Sequence, residues 1–259
     1  MHFYFNKKQT DHALDVNKLY NQAGLKRIRI THNELYTLEP SLIGKKFDSI
    51  FFTKSDKSGD IHRFCNNLVT KLIKENKVKL INKEVTDLRK ELKQYDKIFL
   101  CAGVGSKKLA KSIGESLNIY PVKGYSITIL LNDKDSVRNA PYVSLLDDKA
   151  KIVSSRLGIN RFRIAGTAEF NGYNKDIRAD RINPLIKWCN NLFPKVSTEH
   201  SIPWAGLRPM TPNMVPKVGS GKLPGIFYNT GHGHLGWTLS AFTSKQISDH
   251  IMRKDNLLN

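Results

Sequence analysis

Cysteine is scarce in this sequence, and the three present, Cys65, Cys101 and Cys189, lie far apart with no CxxC spacing. That excludes a disulfide framework and a zinc cluster, and leaves packed or exposed reduced thiols. No apolar run approaches the roughly 18 to 20 residues that a membrane-spanning helix needs. The opening MHFYFNKKQT meets charge too early to hold the apolar core of a signal peptide. These absences make a cytoplasmic protein the expectation, with at most peripheral contact at the inner membrane. Acidic residues are few as well, 23 against 42 Lys and Arg, for a formal charge of +19. An excess of that size suits a nucleic-acid or anionic-lipid partner. Its distribution argues against the first: the basic residues are scattered, with no dense tract and no interleaved aromatic ladder. A lysine-rich solvated surface is expected, with no nucleic-acid partner; weak attraction to acidic lipid is compatible with it.

What is present is ample apolar content, 40% of 259 residues, enough for one large domain or two ordinary ones. Residues 1–19 are polar and mixed, show no sustained period, and are expected to be irregular or disordered. THNELYTLEP (31–40) offers Thr31 as an N-cap with Glu34 three residues on, and Pro40 as a stop. Asp60 precedes IHRFCNNLVTKLIKEN, where Ile61, Phe64, Leu68, Leu72 and Ile73 recur at helical spacing. VKLIN (78–82) alternates as a strand. KIFLCAG (97–103) is a continuous apolar run ending in glycine before a helix candidate that starts near Ser106, the pattern of a buried parallel strand. YPVKGYSITILL (120–131) is the longest β-rich run, and KIVSSRLGINRFRIAGTAEF reads as a hairpin turning at Gly158-Ile159-Asn160. A helix follows over 178–193, then proline-punctuated WAGLRPMTPNMVPKVG, a short strand GIFYNT (225–230), a glycine stretch, and a helix from about Leu235 to Met252. No repeat or low-complexity linker separates these pieces, so two domains are expected to interleave in sequence.

The glycine stretch GHGHLGWTLS (231–240) admits several readings. His232 and His234 resemble a metal pair, yet no carboxylate or cysteine stands nearby at ligand spacing, and no metal site is expected. Gly231, Gly233 and Gly236 between a strand and a helix suit an anion cradle, since bare glycines let backbone amides approach an anion at the positive helix end. The same glycines also suit a turn that merely lets the helix pack closely. GxGxxG alone does not decide.

WAGLRPMTPNMVPKVG followed by GIFYNTGHGHLGWTLS, together with YPVKGYSITI and RFRIAGTAEF, resembles the FAD-dependent D-amino acid dehydrogenase (small subunit) family within the D-amino acid oxidase and glycine oxidase group. LEPSL, the SGD before the amphipathic helix, and FLCAG stand in the order that family has them. The resemblance implies an α/β (α+β) fold: an incomplete FAD-binding Rossmann-like domain (59–118 and 213–252) interleaved with an antiparallel-sheet substrate domain (31–58 and 119–212). Members of the family begin with a strand, a GxGxxG turn and a helix. No such unit opens this chain, which looks like the C-terminal portion of a longer enzyme. EVTDLRKELKQYDKIFL is also short for the hairpin that members insert before FLCAG.

By resemblance the cofactor is FAD and the substrate a D-amino acid, whose hydride passes to the flavin to give an imino acid and then a 2-oxo acid. Arg208 in GLRPMTP matches the arginine that grips the substrate carboxylate, and Tyr125 in KGYSITI is a second candidate contact, or equally an aromatic core residue of a sheet. Gly231, His232, Gly233, Gly236, Trp237 and Thr238 match the loop and helix start that face the flavin, and Val85 and Gly103 match positions whose backbone lies near its pyrophosphate and adenosine. Two readings stay open: a dehydrogenase chain working with a separately encoded N-terminal half and a quinone-linked electron acceptor, or an inactive remnant that holds no FAD.

Overall fold

The computed structural model describes residues 1–256, with side chains to Met252. In chain order come β1 (His2–Tyr4), α1 (Lys7–Gln22), β2 (Ile28–Ile30), α2 (His32–Leu38), β3 (Ser49–Phe52), α3 (Ile61–Lys74), α4 (Leu88–Glu91), β4 (Ile98–Leu100) and α5 (Ser106–Ser112). Next are β5 (Tyr120–Leu130), α6 (Lys134–Asn139), β6 (Leu145–Asp147), β7 (Ile152–Arg156), β8 (Arg161–Glu169) and α7 (Ala179–Leu192). The last are β9 (Ser201–Met210), β10 (Lys217–Ser220), β11 (Ile226–Thr230) and α8 (Gly236–Asn256). The chain divides into two compact units, each assembled from three separate stretches. Unit 1 holds Met1–Asp60, Gly124–Ala168 and Asp176–Ala205; unit 2 holds Ile61–Lys123, Glu169–Lys175 and the chain from Gly206 on.

Unit 1 is built on the larger sheet, whose eight strands run in the order β2-β3-β1-β6-β7-β8-β5-β9. Its strands are mostly antiparallel where registered, with β1 and β6 parallel. The hairpin expected at Gly158 is present, joining β7 to β8 with Val153 opposite Ala165. Along β8 the burial alternates, Phe162, Ile164 and Gly166 inward, Arg161, Arg163 and Ala165 outward, as the two-residue period of a strand dictates. The inward set meets Leu185, Trp188, Cys189 and Leu192 of α7 in one core. Polar groups in that core are paired. Trp188 Nε1 donates to Asp147 Oδ2 at 3.0 Å. Glu39, fully buried, accepts from the backbone of Tyr142 and Val143 at 2.7 and 2.8 Å and so ties the LEPSL turn to the loop before β6. Thr31 and Glu34 form the expected reciprocal cap of α2.

Residues 1–19, expected to be irregular or disordered, instead lie mostly in β1 and α1. Apolar periodicity could not reveal α1, because polar groups anchor it. Thr10 hydrogen-bonds Asp48 and Ser49, while Arg27, itself buried, donates to Ala13 O and Asn17 Oδ1 at 3.1 Å and lies over the Phe51 ring. Asn6 caps its start.

Unit 2 carries a three-stranded sheet in the order β10-β11-β4, with β10 and β11 antiparallel and β11 and β4 parallel. Tyr228, Leu100 and Ile226 pack with Leu88, Ala110 and Leu117 on one face. On the other, Phe227 packs with Ile247 and Ile251 of α8. KIFLCAG and GIFYNT are therefore the two parallel strands; the continuous apolar run of the first predicts the parallel pairing but not its exposure, because β4 is an edge strand and Phe99 is left uncovered. VKLIN is not a strand: Val78, Leu80 and Ile81 are exposed coil. An alternating sequence becomes a strand only beside a neighbour that completes its ladder, and among the described residues none lies along it.

Candidate active site

The parallel strands β4 and β11 end together, and each runs into a glycine turn at its carboxyl end, where open α/β sheets bind ligands. Ser106 and Thr230 hydroxyls meet at 2.8 Å, and Thr230 Oγ1 also donates to the Gly103 carbonyl at 3.3 Å, pinning the two turns side by side. Sequence reasoning did not single out Thr230 or Ser106 for this; neither carries a motif, since the link spans 124 residues. Val85 packs beside Leu88 against the same apolar cluster.

The turn after β11 is shaped by its glycines. Gly231 and Gly233 adopt φ of 81° and 58°, in the left-handed region. A Cβ on Gly231 would stand 2.8 Å from Thr211 Cγ2, and one on Gly233 would stand 2.7 Å from Met210 Sδ. Gly233 N–H donates to Pro209 O at 2.9 Å. The end of β9 therefore lies directly against the glycine loop, and Arg208 is one residue from that contact. Its guanidinium is half-buried, and burial lowers its pKa from the usual range. A partly desolvated guanidinium pairs more strongly with a carboxylate than a solvated one does.

Past the turn, α8 begins at Gly236, with Leu239 N–H returning to Leu235 O. The N–H groups of Gly236, Trp237 and Thr238 belong to the first turn and have no intrahelical acceptor, so this end of a long helix presents donors and a positive dipole end. His232 turns back onto the helix, Nε2 to Thr243 Oγ1 at 3.1 Å, and burial lowers its pKa. His234 is exposed. Among the described residues no group of three or more His, Cys, Asp or Glu side chains is placed to hold a metal ion. Tyr125 is 1% exposed within the core of unit 1. That position suits the aromatic core reading.

A buried ion pair also stands in unit 2: Lys123 Nζ lies 3.0 Å from Glu169 Oε2 and donates to Asn174 Oδ1 at 2.9 Å. KGYS and TAEF contain the two charges, but only the fold brings them together.

The model of the FAD dependent oxidoreductase family matches residues 2–250. The chain belongs to that family. D-amino acid dehydrogenase 3 of Mesorhizobium japonicum is 49% identical over 264 residues, covering 96% of this chain and 63% of the relative. D-amino acid dehydrogenase of Dechloromonas aromatica is 34% identical, covering 97% of this chain and 64% of the relative. The chain thus spans a little under two thirds of the length of these curated relatives. Its fold is similar to that of glycine oxidase from Geobacillus kaustophilus, with a TM-score of 0.82 at 18% identity over 97% of this chain and 70% of that one. Within this family of FAD oxidoreductases, the first-turn amides of α8 and the open backbone at Gly103 suit an anionic cofactor group: a Cβ at Gly103 would meet nothing within 4 Å, whereas those at Gly231 and Gly233 would meet the chain's own Thr211 and Met210. No helix among the described residues is long and apolar enough to cross a membrane.

Proposed function

We propose that this chain is the substrate-gripping and flavin-edge portion of a D-amino acid dehydrogenase, completed by a strand, glycine turn and helix unit that supplies the remaining cofactor contacts. The observation that carries this is the bond from Gly233 N–H to Pro209 O, which sets Arg208 beside the glycine loop at the start of α8. Arg208 grips the α-carboxylate of the substrate with two parallel hydrogen bonds and so fixes the α-carbon in one orientation. The amides of Gly236, Trp237 and Thr238, at the positive end of α8, stabilise negative charge on the group held there. Gly231 and Gly233 keep the loop free of side-chain bulk, and the Gly103 backbone and Val85 line the route of the cofactor's phosphate and adenosine parts. FAD, when bound, supplies the two-electron acceptor chemistry. Water hydrolyses the released imino acid to a 2-oxo acid, and electrons leave to a quinone-linked acceptor, with the protein in the cytoplasm or at the inner membrane face. The likeness to D-amino acid dehydrogenases, 49% identical in one case, supports the choice of substrate.

The test uses the chain alone and the chain co-purified with the completing unit, reading bound flavin absorbance and D-amino acid-dependent dye reduction. Flavin and reduction are expected in the second preparation; neither in either preparation sinks the proposal. Arg208→Ala removes a charged pair of hydrogen bonds worth about 1.5–3 kcal/mol, so KM for the D-amino acid should rise about 10- to 100-fold. Unchanged kinetics would remove the role given to Arg208.

A further inference from the structure

The larger sheet turns one face into the core of unit 1 and carries a mixed polar group on the other. Phe162 and Ile164 of β8, Tyr125 and Ile127 of β5 and Ile152 of β7 lie in the core, so by strand alternation Arg163, Ser126, Val153 and Ser155 stand on the opposite face. Ala205 of β9 packs against the core, which puts Trp204 on that opposite face too. In the β7–β8 ladder Ser155 is directly across from Arg163, and Val153 from Ala165. The half-buried Arg163 guanidinium lies over the Trp204 indole, 5.4 Å from the ring centroid, and makes no hydrogen bond or ion pair among the described residues. Asp60, the acid whose charge reaches it, is bonded to Arg161 instead. Ser155 Oγ meets Ser144 Oγ at 2.8 Å, and Ser144 Oγ meets Ser58 Oγ at 2.5 Å. Three hydroxyls hold three protons and their two hydrogen bonds use two, so one O–H is left for an acceptor from outside. On β5, which runs between the strands of Arg163 and Trp204, Ser126 is 1% exposed and its Oγ has no partner among the described residues. An unpaired half-buried charge and an unused buried hydroxyl are a cost that a bound acceptor removes.

We infer that this outer face of the unit 1 sheet is a binding site for a small carboxylic acid with a short apolar body and no amino group. Arg163 takes the carboxylate, and the remaining proton of the Ser58–Ser144–Ser155 chain is donated to one of its oxygens. Trp204 and Val153, 53% and 44% exposed, supply apolar surface for the body. The charge balance selects the anion. Asp60 neutralises Arg161, so a single positive charge is on offer and a carboxylate matches it. Phosphate, nearer two negative charges, is usually held by several free backbone amides, and the amides of a central strand are committed to its ladder. An α-ammonium group beside Arg163 would be repelled, so the D-amino acid itself is disfavoured. A branched 2-oxo acid, the class of product in the reaction proposed above, and a simple branched acid share the required chemistry. The site goes beyond that reading and does not rest on it, because every residue that forms it belongs to unit 1 and none is assigned to the cofactor.

The full chain is titrated with 3-methylbutanoate and with 4-methyl-2-oxopentanoate, reading tryptophan emission and the heat of binding. Saturable one-to-one binding of at least one acid is expected, weakened by added salt, and the tighter of the two names the source as free acid or 2-oxo product. The emission change should vanish in Trp204→Phe while the heat of binding remains. Arg163→Met, which keeps the unbranched stem, should raise Kd about 10- to 100-fold, and Ser155→Ala about ten-fold, with circular dichroism and urea unfolding confirming that each variant folds. Binding of neither acid, equal binding of the uncharged 3-methylbutanamide, displacement by equimolar inorganic phosphate, tighter binding of D-leucine, or indifference to both substitutions would each overturn the inference.

Discussion

Gly231→Ala tests how the glycine loop is held, and Gly44→Ala is its matched control. The two glycines share a backbone conformation, φ of 81° and 80°, but a Cβ at Gly44 meets nothing within 4 Å, whereas one at Gly231 lands 2.8 Å from Thr211 Cγ2. Left-handed backbone alone costs an alanine about 1–2 kcal/mol, which is the whole effect expected at Gly44. At Gly231 Thr211 must also give way. It is β-branched and stiff, and its Oγ1 donates to Val215 O at 3.0 Å, so swinging the methyl aside sacrifices that bond. The added term is about 1–2 kcal/mol, from overpacking or the lost hydrogen bond. Gly231→Ala should therefore cost about 2–4 kcal/mol in total. Urea unfolding measures it: with a slope of about 1–3 kcal/mol per molar, the two variants should differ in midpoint by roughly 1 M. Thr211→Ser deletes the clashing methyl and keeps the hydroxyl, so it should return Gly231→Ala to the level of Gly44→Ala. Equal destabilisation by both alanines, or no rescue by serine, would refute the claim that Thr211 holds the loop.

Breaking the buried pair from one side, Glu169→Gln, should cost about 3–5 kcal/mol by urea unfolding, because it strands the Lys123 charge, while Lys123→Met with Glu169→Leu should recover most of that; a double variant as unstable as the sum of its parts would contradict it. His2 is held down to about 4 from an ordinary 6.5, chiefly by burial, with the charges of the adjacent amino terminus and of Arg27 adding. The neutral imidazole belongs to the folded state, so its contribution is present above pH 6.5 and lost as pH falls through 4, and His2→Asn should flatten the stability profile over that window. An unchanged slope between pH 6.5 and 4 would dismiss it.

How far the sequence revealed the fold depended on what held each element. β4, β11, α2, α3 and the β7–β8 hairpin announced themselves through apolar runs, a reciprocal cap and a turn glycine. α1 was hidden because Arg27, Thr10 and Asn6 hold it, and hydrogen bonds leave no period in a sequence. β9 was disguised by prolines: WAGLRPM reads as broken chain, yet it is part of a ten-residue strand. It lies at the end of its sheet, where a missing N–H is tolerated. VKLIN misled in the opposite direction, since alternation states only what a strand would do if it had a neighbour. At the candidate site the glycines were legible as backbone that must stay bare. Thr230, Ser106, Thr211 and Met210 were not, because an ordinary side chain acquires its role only from what the fold sets against it.

The interleaving of the two units also bears on how the protein is made. Unit 1 is incomplete until Ala205 has been synthesised, and unit 2 needs the glycine loop and α8 after that. Between the emergence of α3 and that of Ala205 lie about 130 residues, roughly 7 to 26 s of translation at common rates. Throughout that interval the nascent chain displays α3 with neither unit finished, and the helix stays uncovered in the folded chain as well. A ribosome-associated chaperone that recognises short apolar helical stretches would find its natural target at Ile61–Ile73, and starving cells of it should lower the yield of soluble chain before any other property suffers.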